Sequence, residues 1–351
     1  MKTKLAPPAL AVACVFILHP SSFLLGQGSL IPPSAPAPTM KTLDQVEART
    51  PISSAPFTIT VSGSYFLAGN LAVASGNGVT VNADNVTLDL NGFTISSTAS
   101  PAGGVGVLIN NTRSNITIKN GKVRGATTFS GGVFTTGGFN EGIVTAGGST
   151  ANLRVADVQV ADVARNGITF GTTAVATYVV ERCTVNVCGL VGIQAGQVRD
   201  CTVSTAGDDA ILAAMAINCD AQTVGTAAAN SGIFSATQEN CRGVSVNGIG
   251  VQGTNVRNSQ GTSTGSTGLL ATTASNCTGT SSSGIGLSAS NATNCTGTST
   301  SGSTGLNAAG TASYCRGTRN GGVAITAGIA IGCTVSGTGT VTSAEKHLGT
   351  P

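Results

Sequence analysis

The sequence predicts an all-β protein, a parallel β-solenoid built from short coils. The segment NCTGTS occurs twice, and it places Cys277 and Cys295 eighteen residues apart. Only 9% of the 351 residues are charged and 4% are aromatic, there is no Trp, and 49 residues are Gly. A chain of this composition cannot build its core from large side chains, and it favours short strands and tight turns over helices.

The cysteines belong to a column that recurs along most of the chain and predicts about twelve coils. Its steps are 18 to 22 residues in the C-terminal half, whereas the coils before it are longer and carry loops. The column consists of Gly92, Gly121, Val158, Cys183, Cys201, Cys219, Cys241, Ser259, Cys277, Cys295, Cys315 and Cys333.

The residue before each member of this column predicts a sharp turn. Most of these residues are Asn, Asp or Gly, which tolerate a left-handed backbone. The asparagines of this turn column are Asn91, Asn120, Asn218, Asn240, Asn258, Asn276 and Asn294. One such turn per coil is therefore expected.

A second column lies upstream, where a small residue precedes an aliphatic one, as in Gly192-Ile193 and Gly268-Leu269. Between the columns the apolar residues alternate, as in Ile329, Ile331 and Cys333, which is the period of a strand with one face inward. Two bends and two short strands per coil follow from this pattern.

The cysteines share the inward parity of the aliphatic residues, so we predict a structural ladder of core thiols. The ladder comprises Cys183, Cys201, Cys219, Cys241, Cys277, Cys295, Cys315 and Cys333. Partial disulfide pairing between neighbouring coils is the alternative, because stacked coils bring Cα atoms about 4.8 Å apart. Cys188 does not follow the spacing of the column, and it lies only five residues after Cys183. Metal binding is disfavoured, since His19 and His347 are the only histidines.

The first coils resemble those of a known superfamily. The segments GSYFLAGNL (63–71) and GVTVNADNVTLDLNGFTI (78–95) are similar to the opening coils of secreted bacterial proteins of the pectate-lyase-like superfamily. This resemblance implies a single-stranded right-handed parallel β-helix. It does not define an activity, since that superfamily includes lyases, hydrolases, epimerases and proteins without catalytic function.

The chain is expected to divide into five segments. Residues 1–27 combine basic and apolar residues as a signal peptide does, which predicts a secreted, cell-surface or periplasmic protein. Residues 28–41 form a Pro-rich linker, and residues 42–56 are predicted to form a short helix and an N-terminal cap. The β-helix is expected over residues 57–341, followed by a tail at 342–351.

The charge balance excludes some classes of partner. The chain has 17 basic and 14 acidic residues, so no basic surface for nucleic acid is expected. No segment after the signal peptide is apolar enough to span a membrane. A polysaccharide or another cell-envelope component remains as the expected partner, and the oligomeric state is left open.

Two aspartates are the weak candidates for catalysis. Gly207-Asp208-Asp209 resembles the paired-aspartate motif of polygalacturonase-like hydrolases, in which two carboxylates act as acid and base. The accompanying Asn-Thr-Asp and Gly-His-Gly motifs are missing, and Asp209 occupies a turn register that Asn166 also fills. Calcium-dependent lyase chemistry at Asp200, Asp208, Asp209 and Asp220 is a further alternative, and calcium is the one cofactor left open.

Aromatic side chains in an insertion are the candidates for glycan contact. Phe129, Phe134 and Phe139 lie in the Gly-rich segment 127–149, and exposed rings on loops are typical of sugar-stacking sites. Alternatively, these rings cover a sheet face. We therefore expect a non-catalytic structural or glycan-contacting protein, with a lyase or hydrolase acting on an acidic glycan as the alternative.

Outward threonines offer a remote alternative function. The pairs Thr278 with Thr280 and Thr296 with Thr298 flank the cysteine ladder and partly resemble the arrays of ice-binding solenoids. Gln260 interrupts the array. β-Branched polar residues also favour exposed strand positions in general, so the pattern is explained without ice.

Overall fold

The computed structural model describes residues 48–147, 151–171 and 177–346. These residues form 33 strands and contain no helix, so no helix within them can span a membrane. The predicted signal peptide (1–27), the linker (28–41), the first six residues of the predicted helix and cap segment (42–56) and both histidines lie outside the described residues.

The strands are numbered along the chain. The N-terminal strands are β1 (Thr50–Ile52), β2 (Phe57–Ile59), β3 (Gly63–Leu67), β4 (Leu71–Val73), β5 (Val79–Val81), β6 (Val86–Asp89), β7 (Thr94–Ser97), β8 (Val105–Ile109), β9 (Ser114–Arg124), β10 (Thr128–Ser130), β11 (Val133–Thr135), β12 (Glu141–Thr145), β13 (Ala151–Val163), β14 (Ile168–Thr169), β15 (Tyr178–Glu181) and β16 (Thr184–Cys188). The C-terminal strands are β17 (Ile193–Arg199), β18 (Thr202–Ala206), β19 (Ile211–Ile217), β20 (Asp220–Thr223), β21 (Ile233–Glu239), β22 (Arg242–Ser245), β23 (Val251–Arg257), β24 (Gln260–Ser263), β25 (Leu269–Ser275), β26 (Thr278–Ser281), β27 (Leu287–Thr293), β28 (Thr296–Ser299), β29 (Thr304–Ser313), β30 (Arg316–Thr318), β31 (Val323–Ile331), β32 (Thr334–Ser336) and β33 (Thr340–Lys346).

The strands wind into a right-handed parallel β-helix, as the sequence predicted. Each strand pairs in parallel with its equivalent in the next coil, for example β19 with β21 through Ile211↔Ile233 and Ala216↔Gln238. Only β10 and β11 stand apart, as an antiparallel hairpin among the described residues. The backbone hydrogen bonds of the solenoid therefore run between coils, along its axis.

Each C-terminal coil has three faces, because its long strand turns a corner. In β19 the side chains of Ile211, Ala213 and Ala216 are buried, so the inward alternation changes phase between Ala213 and Ala216. The first face is the start of the long strand, the second face is its end, and the third face is the following short strand. The sequence pattern predicted the two bends that flank these strands but not this third corner.

The core of the first face is a column of aliphatic side chains stacked in register. Every member of this aliphatic column has a relative exposure of 0%. The column consists of Val79, Val107, Ile143, Ile168, Ile193, Ile211, Ile233, Val251, Leu269, Leu287, Leu306 and Ile325. Burying such a side chain contributes roughly 1.5–3 kcal/mol, so this column is a main source of stability.

The turn column adopts the predicted left-handed backbone. Asn276 has a φ of 54°, and the other asparagines of the column have φ values between 48° and 58°. Their side chains form a ladder, in which Asn276 Nδ2 donates to Asn258 Oδ1 (3.1 Å) and Asn294 Nδ2 donates to Asn276 Oδ1 (2.8 Å). Asparagine thus supplies both the backbone conformation and a bond to the next coil.

The third face of the C-terminal half lies directly against the backbone of the first face. Gly279 points inward from β26, and a Cβ at that position would lie 2.2 Å from the carbonyl oxygen of Gly286. Gly243, Gly261, Gly297 and Gly317 occupy equivalent positions. The coils here are therefore thin, which explains how 18 residues complete a turn.

Both ends of the β-helix extend beyond the predicted bounds. β1 lies inside the segment predicted as a cap, yet it already pairs with β3 through Ile52↔Leu67. At the other end, β33 begins inside the predicted β-helix and continues into the predicted tail, where Thr342 and Ser343 still pair with β31. Ile52 continues the inward packing at the N-terminal end, which accounts for the additional strand there.

Because Gly279 meets backbone, Gly279→Ala should lower the free energy of unfolding by about 3 kcal/mol or more, through forced separation of the two faces. The matched control is Gly69→Ala, where a new Cβ would meet no atom within 4 Å. That variant should change the stability by less than about 1 kcal/mol. Urea unfolding followed by circular dichroism measures both, and equal effects would contradict close packing at Gly279.

Candidate functional site

The β10–β11 hairpin is the largest departure from the coil pattern in the described residues. Ser130 and Val133 flank a two-residue turn in which Gly131 and Gly132 have φ values of 59° and 85°. Such a turn needs glycine-like residues at both positions. Phe129 pairs with Phe134 across the hairpin, and their ring centroids are 4.6 Å apart at an angle of 43°.

The base of the hairpin is fixed to the solenoid. The buried Thr127 Oγ1 donates to Gly137 O (3.0 Å) and accepts from Gly137 N (3.2 Å), which ties the two ends of the insertion together. Thr127 N also donates to Asp162 O (2.9 Å) on the neighbouring coil. The hairpin is thus held at a defined position on the outer surface.

Phe139 is not available for the predicted glycan contact. Its side chain has a relative exposure of 0% and packs in the hydrophobic core, so the prediction for this residue was wrong. Its ring instead anchors the C-terminal end of the insertion. Phe129 and Phe134 remain partly exposed on the hairpin.

A polar cleft, here called the hairpin cleft, lies between the hairpin base and the third face. It comprises two adjoining depressions of about 360 and 600 Å³, which share Arg124 and Asp162. The side chains that define it are Thr94, Lys122, Arg124, Gln159, Asp162, Asn186 and, at the hairpin, Phe129. Its dimensions are within the usual range of small-ligand sites.

The parallel register brings these side chains together. Thr94 is paired with Lys122, and Lys122 is paired with Gln159, so three consecutive coils contribute to one outward row. Arg124 Nε donates to Asp162 Oδ2 (2.8 Å), and the Arg124 side chain is 67% exposed. The exposed Arg124 guanidinium therefore remains available to a ligand, whereas the Asp162 side chain is only 20% exposed.

These cleft residues were not among the predicted site residues. Lys122 and Arg124 flank the inward Val123 immediately before the aromatic insertion, and that alternation was the available signal. Gln159, Asp162 and Asn186 gave no such signal, because only the coil register places them beside Lys122 and Arg124.

Asp209 acts as an acceptor for the next coil. Its Oδ1 accepts a hydrogen bond from Ser231 N at 2.6 Å. Asn77 and Asn166 do the same for Val105 N (3.0 Å) and Val191 N (3.3 Å) in earlier coils. Burial raises the pKa of Asp209 to about 6, and the neighbouring negative charge of Asp208 adds to the shift.

The hairpin reaches the turn that carries the two aspartates. A Cβ at Gly207 would lie 3.2 Å from Phe134 Cε2, so the ring covers the residue next to Asp208. In the sequence, the phenylalanines and the aspartates are separate candidates. The structure places Phe134 and the aspartate turn side by side.

The acidic residues considered for calcium do not form one group. Asp200 and Asp220 lie beside the turn column, where Asn218 Nδ2 donates to Asp200 Oδ1 (2.9 Å) and Arg242 binds Asp220 (3.0 Å). Asp208 and Asp209 lie at a different turn, after β18. No cluster of three or more His, Cys, Asp or Glu side chains that could hold a metal ion occurs in the described ranges.

The nine cysteines of the described residues are buried and form no disulfides. Each thiol of the ladder donates a hydrogen bond to the carbonyl oxygen two residues earlier, across the left-handed turn. For example, Cys219 Sγ donates to Ile217 O (3.2 Å). Ser259 takes the same position, donating to Arg257 O (2.6 Å) and accepting from Cys241 N (3.1 Å). The position therefore selects a small side chain that can hydrogen bond, which Cys and Ser both provide.

The described residues thus form a parallel β-helix with a cleft on its outer surface. Neither a protein-family model nor a curated protein matches the sequence. Among solved structures, similarity is found to the enzymatically active domain of tailspike protein 2 from bacteriophage CBA120, with 14% identity and a TM-score of 0.26. The alignment covers 82% of this chain and 42% of that chain, so it spans less than half of the tailspike domain. Similarity this low carries no information about function.

The ladder thiols should be inert in the folded protein. Hydrogen bonds between neighbouring thiols raise the pKa of one partner and lower that of the other, as where Cys295 lowers the pKa of Cys277 to about 7, so the ionisation state does not by itself protect the ladder. Every ladder cysteine is at most 3% exposed, and a reagent must reach the sulfur, so a chain without residues 1–27 should show no reaction with Ellman's reagent at pH 8. After unfolding in guanidinium without reductant, all nine thiols should react. A lower number would indicate disulfides.

Asp209 should make stability fall as the pH rises. Its pKa is about 6 in the folded chain against an ordinary value of 3.8, so the folded chain retains a proton that the unfolded chain loses between these values. The stabilisation that comes from this retained proton is fully present below about pH 4 and lost above about pH 6. Asp209→Asn removes this loss and should be about 1–2 kcal/mol more stable than the native chain at pH 7.5.

Thermal unfolding at pH 3.5 and pH 7.5 tests this prediction. The gain should be absent at pH 3.5, where Asp209 is protonated in both states. Asp208→Asn is the matched control for the loss of one negative charge at this turn, and it should give a smaller gain. An Asp209→Asn variant that is destabilised at pH 7.5 would show that the ionised carboxylate is needed there.

Proposed function

We propose that this protein is a secreted or cell-surface member of the pectate-lyase-like β-helix superfamily that binds glycans in the hairpin cleft without cleaving them. The observation that carries the proposal is the position of Phe129, a partly exposed ring on an anchored hairpin at the wall of a polar cleft. Its expected partner is a polysaccharide or another component of a cell envelope.

The chemistry of the cleft suits a sugar polymer. A sugar ring offers apolar C–H faces that stack on an aromatic ring and hydroxyl groups that bond to amides and charged groups. Phe129 provides the ring, and Gln159 and Asn186 provide carboxamides. Lys122, Arg124 and Asp162 give the cleft a net charge of +1, which favours an acidic glycan.

Two features support binding without catalysis. Asp209, whose pKa is raised by burial, is engaged by the backbone of the next coil in the role that asparagine fills elsewhere. The hairpin cleft itself contains one carboxylate, Asp162, which is paired with Arg124. Glycoside hydrolysis ordinarily requires two carboxyl groups on either side of the bond.

The proposal predicts that Phe129→Ala weakens binding of an acidic oligosaccharide about tenfold, because the stacking surface is lost. Lys122→Ala should weaken it by a similar factor, with the loss shrinking at high salt. Isothermal titration calorimetry against oligouronates and neutral oligosaccharides provides the measurement. Thr280→Ala, an outward change on the same face far along the chain, is the control.

The same panel tests for catalysis. Incubation with each glycan, with and without calcium, followed by mass spectrometry should show no new chain ends. New ends that disappear in Asp208→Asn or Asp209→Asn would make the protein an enzyme. Absence of binding to every glycan, with the variants still folded, would instead support a purely structural role.

A further inference from the structure

The first face carries an exposed aromatic ring that the hairpin cleft does not use. Phe234 points outward from β21 and is 40% exposed. Its neighbours in the outward row are Leu212 and Gln252, and Leu270 follows one coil later. Phe234 and Leu270 therefore stand two coils apart with Gln252 between them.

A depression of about 490 Å³, here called the Phe234 dimple, occupies this space. Small side chains surround it, so the ring and Leu270 stand above their surroundings. The lining residues that matter are Phe234, Ser235, Gln252, Gly253, Thr254 and Thr272. No charged side chain lines it.

The floor of the dimple is supported from inside by an unusual polar side chain. Gln238 is fully buried at a position where equivalent coils carry Ala216 or Val256. Its Nε2 donates to Gln252 O (2.5 Å), and its Oε1 accepts no hydrogen bond from the described residues. A Cβ on Gly253 would lie 2.9 Å from Gln238 Nε2, so glycine makes room for this amide.

This construction indicates a ligand that is both apolar and polar. Gln238 does not line the dimple, so its amide fixes the floor from inside, and the exposed ring of Phe234 supplies the apolar surface. Around the ring, the Gln252 amide and the hydroxyls of Thr254 and Thr272 offer donors and acceptors. The absence of charged lining residues disfavours an ionic ligand.

We propose that the Phe234 dimple is a second carbohydrate site, which binds a neutral pyranose residue. A pyranose with equatorial hydroxyls stacks its apolar face on Phe234 and directs its hydroxyls to Gln252 and Thr254. The volume accommodates one or two sugar rings. This site lies on the first face and rests on different residues from the hairpin cleft.

The experiment uses cellohexaose, a neutral oligosaccharide with equatorial hydroxyls, and the folded chain without residues 1–27. Saturation-transfer NMR should show contact between the protein and the C–H protons of the sugar. Phe234→Ala should weaken the affinity measured by calorimetry at least tenfold, whereas Phe234→Tyr should retain it. Val246→Ala, which shortens another exposed apolar side chain, should bind as the native chain does.

Phe129→Ala separates this inference from the proposed function. It should leave cellohexaose binding intact while it weakens binding of the acidic oligosaccharide, and Phe234→Ala should do the reverse. A native chain that binds cellohexaose but no acidic oligosaccharide would overturn only the proposal for the hairpin cleft. Each variant must keep the native melting temperature.

Two results would overturn the second site. One is cellohexaose binding that Phe234→Ala leaves unchanged, or no saturation transfer at millimolar sugar. The other is a dimer in analytical ultracentrifugation that Phe234→Ala converts to a monomer, without sugar contact, which would make the dimple an interface between two copies of this chain.

Discussion

The parallel register between successive coils is the constraint on which the rest of this structure depends. The polar backbone groups must be paired, and in a β-helix their partners belong to the next coil. Each side chain therefore lies beside the equivalent side chain of its neighbours. A residue type that fits one coil fits the next, which accounts for the aliphatic column, the asparagine ladder and the stacked thiols.

The motif NCTGTS shows how closely this constraint fixes residue types in the thin half. Asn276 takes the left-handed turn, Cys277 fills the inner corner, and Gly279 allows contact with the first face. The buried Ser281 closes the motif by accepting from Gly284 N (2.8 Å). Only the two threonines are free to vary on the outside.

The two halves of the solenoid differ in what they can carry. On the second face, the inward residues Leu88, Ile118 and Val155 of the early coils give way to Ala274 and Ala292 later. The N-terminal half, with these larger inward residues, has room for Phe139 in its core. The buried Phe139 ring anchors the insertion and so permits the hairpin. The thin half cannot bury such a ring, so its coils stay near minimal length, and its binding surface has to be built from outward side chains such as Phe234.

The sequence by itself determined the fold, because the same residue types recur at the same place in most coils. Asn marks most of the turns, and Cys and the Gly-aliphatic pairs mark inward positions of the strands. It also marked Phe129 and Phe134 as an insertion outside the coils. The tertiary structure alone decided that Phe139 is buried, since neither parity nor spacing constrains a residue within an insertion. Likewise, Lys122, Gln159 and Asn186 come from separate coils of unequal length, and only the register between those coils brings them into one cleft.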